Sequence, residues 1–237
     1  MINFLSVDWD YFFPDFNKFD WSASEDSPIF YELIWQIRYS TSPINKATLA
    51  RDYYNPHWIY KHFWDILLIN SKPEIVVIED SHSEIKQILE NIKKVRMFNF
   101  DQHTDDSKKI DCGVNCENWV TYYKDKFETY KYYKPKWVVN GLINPKILTQ
   151  MQKNYPDFKF IFVCRSSPWT SSWNDDKWLE FIQILKQKLS YDCCIREDKR
   201  VLQKREFDLN FANELLMDQE KYFSSLERGR SLRSQLL

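Results

Sequence analysis

Glycine is nearly missing from this chain: only Gly113, Gly141 and Gly229 occur in 237 residues. No Gly-x-Gly-x-x-Gly turn and no P-loop can be written with them, which argues against nucleotide binding by either backbone cradle. An excess of charge of either sign is missing too. The net charge of −1 gives no reason to expect nucleic acid or an anionic membrane surface as a partner. No apolar run reaches the roughly 18 residues of a membrane span. The first apolar stretch is short and broken by Asp8 and Asp10, unlike a signal peptide. A cytoplasmic protein without a membrane partner is the expectation. The five cysteines are an odd number with no disulfide pattern, and Cys112 and Cys116 lack the second Cys/His pair of a zinc finger, so free thiols are expected. If this chain does chemistry, side chains and bound ions must supply it.

What is present is enough apolar material for one large domain, 43% hydrophobic with 17% aromatic residues. Apolar runs of strand length lie at 2–7, 74–79, 95–100, 136–140 and 158–164. Between them Ile85, Ile88, Leu89 and Ile92 recur at helical spacing, as do Trp178, Phe181, Ile182, Leu185 and Leu189 in 176–189. Ser81 with Glu84 reads as a capping box for the first of these helices, and Asn174 or Asp175 as a cap for the second. Segments 28–39, 56–69 and 117–129 also read as helices, and a polar tail from 206 to 237 carries a helical stretch from Phe211 to Leu226. Strand–helix–strand alternation predicts a single α/β domain over 1–237, a three-layer α/β/α architecture with a mostly parallel sheet and 206–237 as a C-terminal helical extension.

Three of the apolar runs end in acidic and imidazole groups. Residues 98–105 read Phe-Asn-Phe-Asp101-Gln-His103-Thr-Asp105, residues 4–10 Phe-Leu-Ser-Val-Asp8-Trp-Asp10, and residues 75–82 Ile-Val-Val-Ile-Glu-Asp80-Ser-His82. On an extended backbone, alternate side chains point the same way. Two carboxylates and an imidazole therefore converge at the carboxyl end of a strand, where open α/β sheets bind ligands. One such segment is as well explained by turn-forming or capping aspartates. Three in one chain, using two of its four histidines, point to a metal site. Buried carboxylates need compensating cations, and an oxygen-rich set with imidazole suits Mn²⁺ or a similar borderline-hard ion. Within this set Asp80 reads as a turn residue beside the site.

These motifs resemble those of the ureohydrolase superfamily of arginases, agmatinases and related deacetylases. Asp101-Gln-His103-Thr-Asp105 is similar to its Asp-Ala-His-x-Asp motif, Asp80-Ser-His82-Ser to Gly-Gly-Asp-His-Ser, and Ser6-Val-Asp8-Trp-Asp10-Tyr-Phe-Phe-Pro14 to Ser-x-Asp-x-Asp-x-x-Asp-Pro. The last motif comes first here, the order a circular permutation gives. A nearer resemblance, over about residues 3–170, is to an arginase-like family with Glu-Asn-Trp (here Glu117-Asn118-Trp119) and Ser-Pro (here Ser167-Pro168). Some of its members are peptide arginases, which convert arginine side chains of ribosomally made peptides to ornithine.

The resemblance implies an arginase-like fold and two Mn²⁺ per chain. One ion would be held by Asp8, His82, Asp101 and Asp105, the other by Asp8, Asp10, Asp101 and His103, with Asp8 and Asp101 bridging. It implies hydrolysis of the guanidinium by a hydroxide between the ions, releasing urea, with an arginine-containing precursor peptide as partner. Arginases carry a histidine in the loop after Asp-x-His-x-Asp; residues 106–118 contain none, which leaves His57 as the candidate proton shuttle and His62 as a helix-face residue. Asp105 is taken as both ligand and catalytic carboxylate. Candidate partners for the substrate guanidinium are Glu25, Asp26, Glu79, Asp106, Asp111 and Glu117, with Asn118, Trp119, Ser166, Ser167 and Trp169 as candidate walls. The arginase loop that holds a free amino acid has no visible match, which favours a peptide substrate. Competing readings are a free-arginine or agmatine hydrolase, an acyl-lysine deacetylase, and a non-catalytic binding protein stabilised by metal. The oligomeric state is open.

Overall fold

The computed structural model describes residues 2–13, 35, 55–108, 113–135 and 155–208, with residues 210, 211, 213, 214, 217 and 218 beyond. Among the described residues, six strands form one all-parallel sheet: β1 (Ile2–Asp8), β2 (Ile75–Glu79), β3 (Val95–Phe100), β4 (Phe127–Tyr133), β5 (Phe160–Cys164) and β6 (Cys194–Glu197), in the order β4-β3-β1-β5-β2-β6. The described helices are α1 (Tyr60–Leu67), α2 (Lys86–Leu89), α3 (Trp119–Tyr123) and α4 (Asp175–Lys188), and residues 210, 211, 213, 214, 217 and 218 are helical.

Strand parity divides the core into two layers. Leu5, Val7, Val76, Ile78, Phe98, Phe100, Ile161 and Val163 pack on one face with Phe63, Trp64 and Leu67 of α1 and Trp178, Phe181 and Leu185 of α4. Phe4, Val77, Val95, Met97 and Phe162 face the other way, onto Ile85, Ile88 and Leu89 and onto Trp119, Val120 and Tyr123 of α3. Both faces are covered, as central parallel strands require, and the result is the three-layer α/β/α fold. Aromatic residues carry much of the first layer. Trp64 stacks on Phe181 at 4.8 Å, and Trp9 lies 5.0 Å from the same ring. Each such buried side chain contributes about 1.5–3 kcal/mol.

Several local expectations change. Segment 117–129 is not one helix: α3 ends at Tyr123, and Phe127–Tyr133 pairs with β3 as an edge strand. The run Phe-Glu-Thr-Tyr-Lys-Tyr-Tyr is rich in strand formers, and backbone pairing to β3 overrides the helical reading. Residues 82–89 are a 3-10 turn followed by the short α2. Ser81 caps that turn through Ser83 N–H (3.2 Å), whereas the Glu84 carboxylate turns to Gln87 and Lys86. At α4 neither cap forms through a side chain: Asn174 accepts from Lys177 and Asp175 binds Arg205. The strand expected at 136–140 lies outside the described residues, as do Glu25, Asp26 and Asp111 and most of 28–39 and 219–237. No described helix is long and apolar enough to cross a membrane.

Candidate metal centre

Parallel register builds the floor of the site. Val7 pairs with Phe100 and Asp8 with Cys164, so Asp101, Asp8 and Cys164 form one row across the ends of β3, β1 and β5. The alternation Phe4-Ser6-Asp8 and Met97-Asn99-Asp101 puts their side chains on the α2/α3 face. Trp9, between Asp8 and Asp10, goes into the opposite layer against Phe12, Phe13, Tyr60, Trp178 and Phe181. That aromatic anchor holds the two aspartates in place.

His82 enters from the turn after β2. Its ring stacks on Phe162 (5.6 Å) and lies 4.9 Å from Trp119, and Nε2 is 2.7 Å from the Ser6 hydroxyl. Nδ1 then faces three carboxylate oxygens: Asp101 Oδ2 at 3.1 Å, Asp105 Oδ2 at 3.2 Å and Asp8 Oδ2 at 3.3 Å. One N–H cannot be aimed at all three, and Nδ1 makes no hydrogen bond of good geometry although it is buried. Beside this group, His103 Nδ1 lies 2.8 Å from Asp10 Oδ2 and 3.9 Å from Asp101 Oδ1. Asp10 Oδ2 is likewise buried without a well-directed hydrogen bond. Asp101 thus turns one oxygen to each group. All six expected ligands, Asp8, Asp10, His82, Asp101, His103 and Asp105, come together.

Surrounding residues fix these side chains. Asp8 Oδ1 accepts Asp10 N–H (2.9 Å), while Oδ2 accepts from Ser166 and from the Cys164 thiol (3.3 Å). Asp101 Oδ1 accepts His103 N–H (2.7 Å), and Asp105 Oδ2 accepts the Trp119 indole N–H (2.6 Å). Asp105 and Ser166 both hold positive φ, 48° and 49°, a backbone state uncommon outside glycine. Two residues that carry site contacts occupy it here.

The electrostatics show what such crowding costs without a cation. Burial, then Asp105, Asp10 and Asp8, push Asp101 well above the usual carboxylate range. Burial and Asp8 push Asp10 up to about 7. His82 and His103 would be lowered by burial, but their acidic surroundings raise His82 well above the ordinary imidazole value and His103 to about 10. Asp8 is held below its usual value, because His82, Ser166 and Asp10 N–H outweigh its burial. Four carboxylates and two imidazoles around orphaned buried atoms fit divalent cations. Donor groups able to hold an ion occur as His82/Asp101/Asp105, Asp10/Asp101/His103 and Asp8/His82/Cys164.

Of the other candidates, Trp119, Ser166 and Trp169 touch the cluster, and the rest have partners of their own. Asp80 is held outside the cluster by Arg165 (3.0 Å) and Ser167 (2.5 Å). Ser167 is wholly buried, and its carbonyl accepts from Trp35 (2.9 Å) and Arg205 (2.7 Å), so it braces the floor. Asn118 closes its own loop through Gly113 O (2.8 Å) and Asn115 N–H (2.9 Å); Glu117 is exposed, and its carbonyl accepts Ser107 N–H (2.9 Å). Trp119 positions Asp105. His57 N–H donates to Phe12 O (2.6 Å) and its Nδ1 accepts Ile59 N–H (3.3 Å); burial lowers its basicity. Glu79 bonds Gln87 (2.9 Å) and, with Asp80 and Arg165, lines a separate cleft of about 1050 Å³. Ser6 appears in the sequence only as a motif position, and Asn99, Cys164 and the Arg165–Asp175–Arg205 brace carry no signal there for a place at the site. Only strand parity and register, once the neighbours of β1 are known, point to the first three.

The open side of the cluster is marked by His103, whose side chain is 41% exposed and whose ring lies 5.0 Å from half-buried Trp169. Comparison of the chain with protein-family models, curated proteins and solved structures gives no match.

Proposed function

We propose that this protein is a two-metal amidinohydrolase, a peptide arginase that converts arginine side chains of a precursor peptide to ornithine with release of urea. The observation that carries this reading is the meeting of His82 Nδ1 with carboxylate oxygens of Asp8, Asp101 and Asp105 at 3.1–3.3 Å, with a second imidazole–carboxylate pair alongside. Asp8, His82, Asp101 and Asp105 would hold one cation; Asp10, His103 and Asp101, with Asp8, the other. Two divalent ions, when bound, lower the pKa of a shared water and stabilise charge that develops during attack on a guanidinium carbon.

The chain's own residues do the rest. Asp101 offers one oxygen to each position and so sets the spacing. Trp119 fixes Asp105 and Ser166 fixes Asp8, so these two carboxylates are held in place by their neighbours. On the open side, the Trp169 ring beside His103 provides an aromatic face for a cationic side chain. Hydrolysis consumes one water, and the ornithine amine must gain a proton as urea leaves. His57, kept neutral by burial, is the shuttle candidate if it turns toward the substrate.

The test is incubation of the full chain with Mn²⁺ and arginine-containing peptides. Urea should appear, with a peptide mass loss per arginine equal to urea less one water. Turnover of free arginine, agmatine or acyl-lysine in place of the peptide would reassign the substrate. Metal uptake without turnover of any of them would leave a metal-stabilised binding protein.

A further inference from the structure

The two halves of the centre differ in their donors. Around Asp10 and His103 the donors are oxygen and one imidazole that opens to solvent. Around His82 a thiol is added. Cys164 Sγ is wholly buried, lies 3.3 Å from Asp8 Oδ2, and groups with Asp8 and His82 as an ion-sized donor set. The register explains its position: Cys164 is the direct parallel-strand partner of Asp8, on the same face and at the same level. Donors around one cation stand about 3–3.7 Å apart, given bonds of roughly 2.0 Å to nitrogen or oxygen and 2.3 Å to sulfur. The Sγ–Oδ2 and Nδ1–Oδ2 separations, both 3.3 Å, have that spacing. The second observation is the buried Nδ1 of His82, which lacks a well-directed hydrogen bond.

We propose that Cys164 is a direct ligand of the cation at the His82 position, making it a mixed nitrogen, oxygen and sulfur site for a thiophilic ion such as Zn²⁺, Fe²⁺ or Co²⁺, while the His103 position keeps Mn²⁺. The inference rests on the two-metal reading above and deepens it. On binding, the S–H bond breaks, a metal–sulfur bond forms, and the proton passes to solvent; no oxidant or reductant is needed. Softness then sorts the ions: thiolate selects zinc, iron(II) or cobalt, and a carboxylate-rich site accepts manganese.

Cobalt(II) added to the full chain tests this by absorption. The expected result is visible d–d bands together with a near-ultraviolet thiolate-to-cobalt charge-transfer band. In Cys164→Ser the charge-transfer band should vanish while the d–d bands remain. If that variant does not fold, a chain with Cys112, Cys116, Cys193 and Cys194 replaced by serine takes its place; it should keep the charge-transfer band, and its loss there overturns the proposal. Cobalt d–d bands without charge transfer in the natural chain would overturn the Cys164 ligand and leave the two-metal reading standing. No cobalt uptake at all would overturn both.

Discussion

At the residue scale the centre is a crowd of acidic and imidazole groups whose like charges the proposed cations would compensate. Asp101 serves both positions, so Asp101→Ala should abolish uptake of both ions and all hydrolysis; metal content by atomic emission and urea release check this together. Trp119 acts through Asp105 and touches no ion. Trp119→Phe removes the indole N–H that holds Asp105 Oδ2 and keeps the aromatic bulk, so Mn²⁺ affinity should fall about 10- to 100-fold with the fold intact. Calorimetric titration reads that loss, and an unchanged affinity would remove Trp119 from the site. The meeting of the six candidate ligands is legible in the sequence because a spacing of two at a strand end is a strong geometric statement. Cys164 is not, since its importance depends on which strand lies beside β1.

At the scale of elements, the floor of the site depends on a brace that sequence patterning does not reveal. Arg205 clasps Asp175 at the start of α4 (2.5 Å) and the Ser167 carbonyl (2.7 Å), and Arg165 joins Asp80 (3.0 Å) to Gln203 O (3.0 Å). Breaking such a buried pair leaves uncompensated charge. Asp175→Ala should cost about 3–5 kcal/mol, measured by denaturant unfolding; a loss near zero would mean the pair is replaceable. β1, β2, β3, β5, α1 and α4 are readable because their apolar runs or stripes are long and continuous. β4 is hidden because its burial is uneven, as befits an edge strand, and its tyrosines fit either state. β6 is four exposed residues, Cys-Ile-Arg-Glu, held by backbone pairing to β2, and carries no apolar signature.

For the whole molecule, the carboxyl ends of β1, β2, β3 and β5 gather charges whose titration ties folding to metal. Asp10 is raised from 3.8 to about 7 by burial and Asp8, so its contribution is full at low pH and is lost as pH rises through 7. His103 is raised from 6.5 to about 10 despite burial, by Asp10 and Asp101, so its contribution is present below 6.5 and lost as pH rises through 10. Both have the same sign. The metal-free chain should therefore lose thermal stability between about pH 5 and pH 9. Bound cations reverse the penalty, so the rise in Tm caused by Mn²⁺ should grow across the same range. Differential scanning calorimetry with and without Mn²⁺ checks both slopes, and a metal-free Tm that climbs with pH would contradict them.

In the proposed centre, six side chains from three strand ends would surround two cations. Anomalous diffraction from crystals grown in Mn²⁺, recorded at the manganese edge, tests it most directly. Two peaks are expected, one among Asp8, His82, Asp101 and Asp105 and one among Asp10, Asp101 and His103, the first weakened when a thiophilic ion competes. No anomalous density between these residues at saturating Mn²⁺ would contradict it.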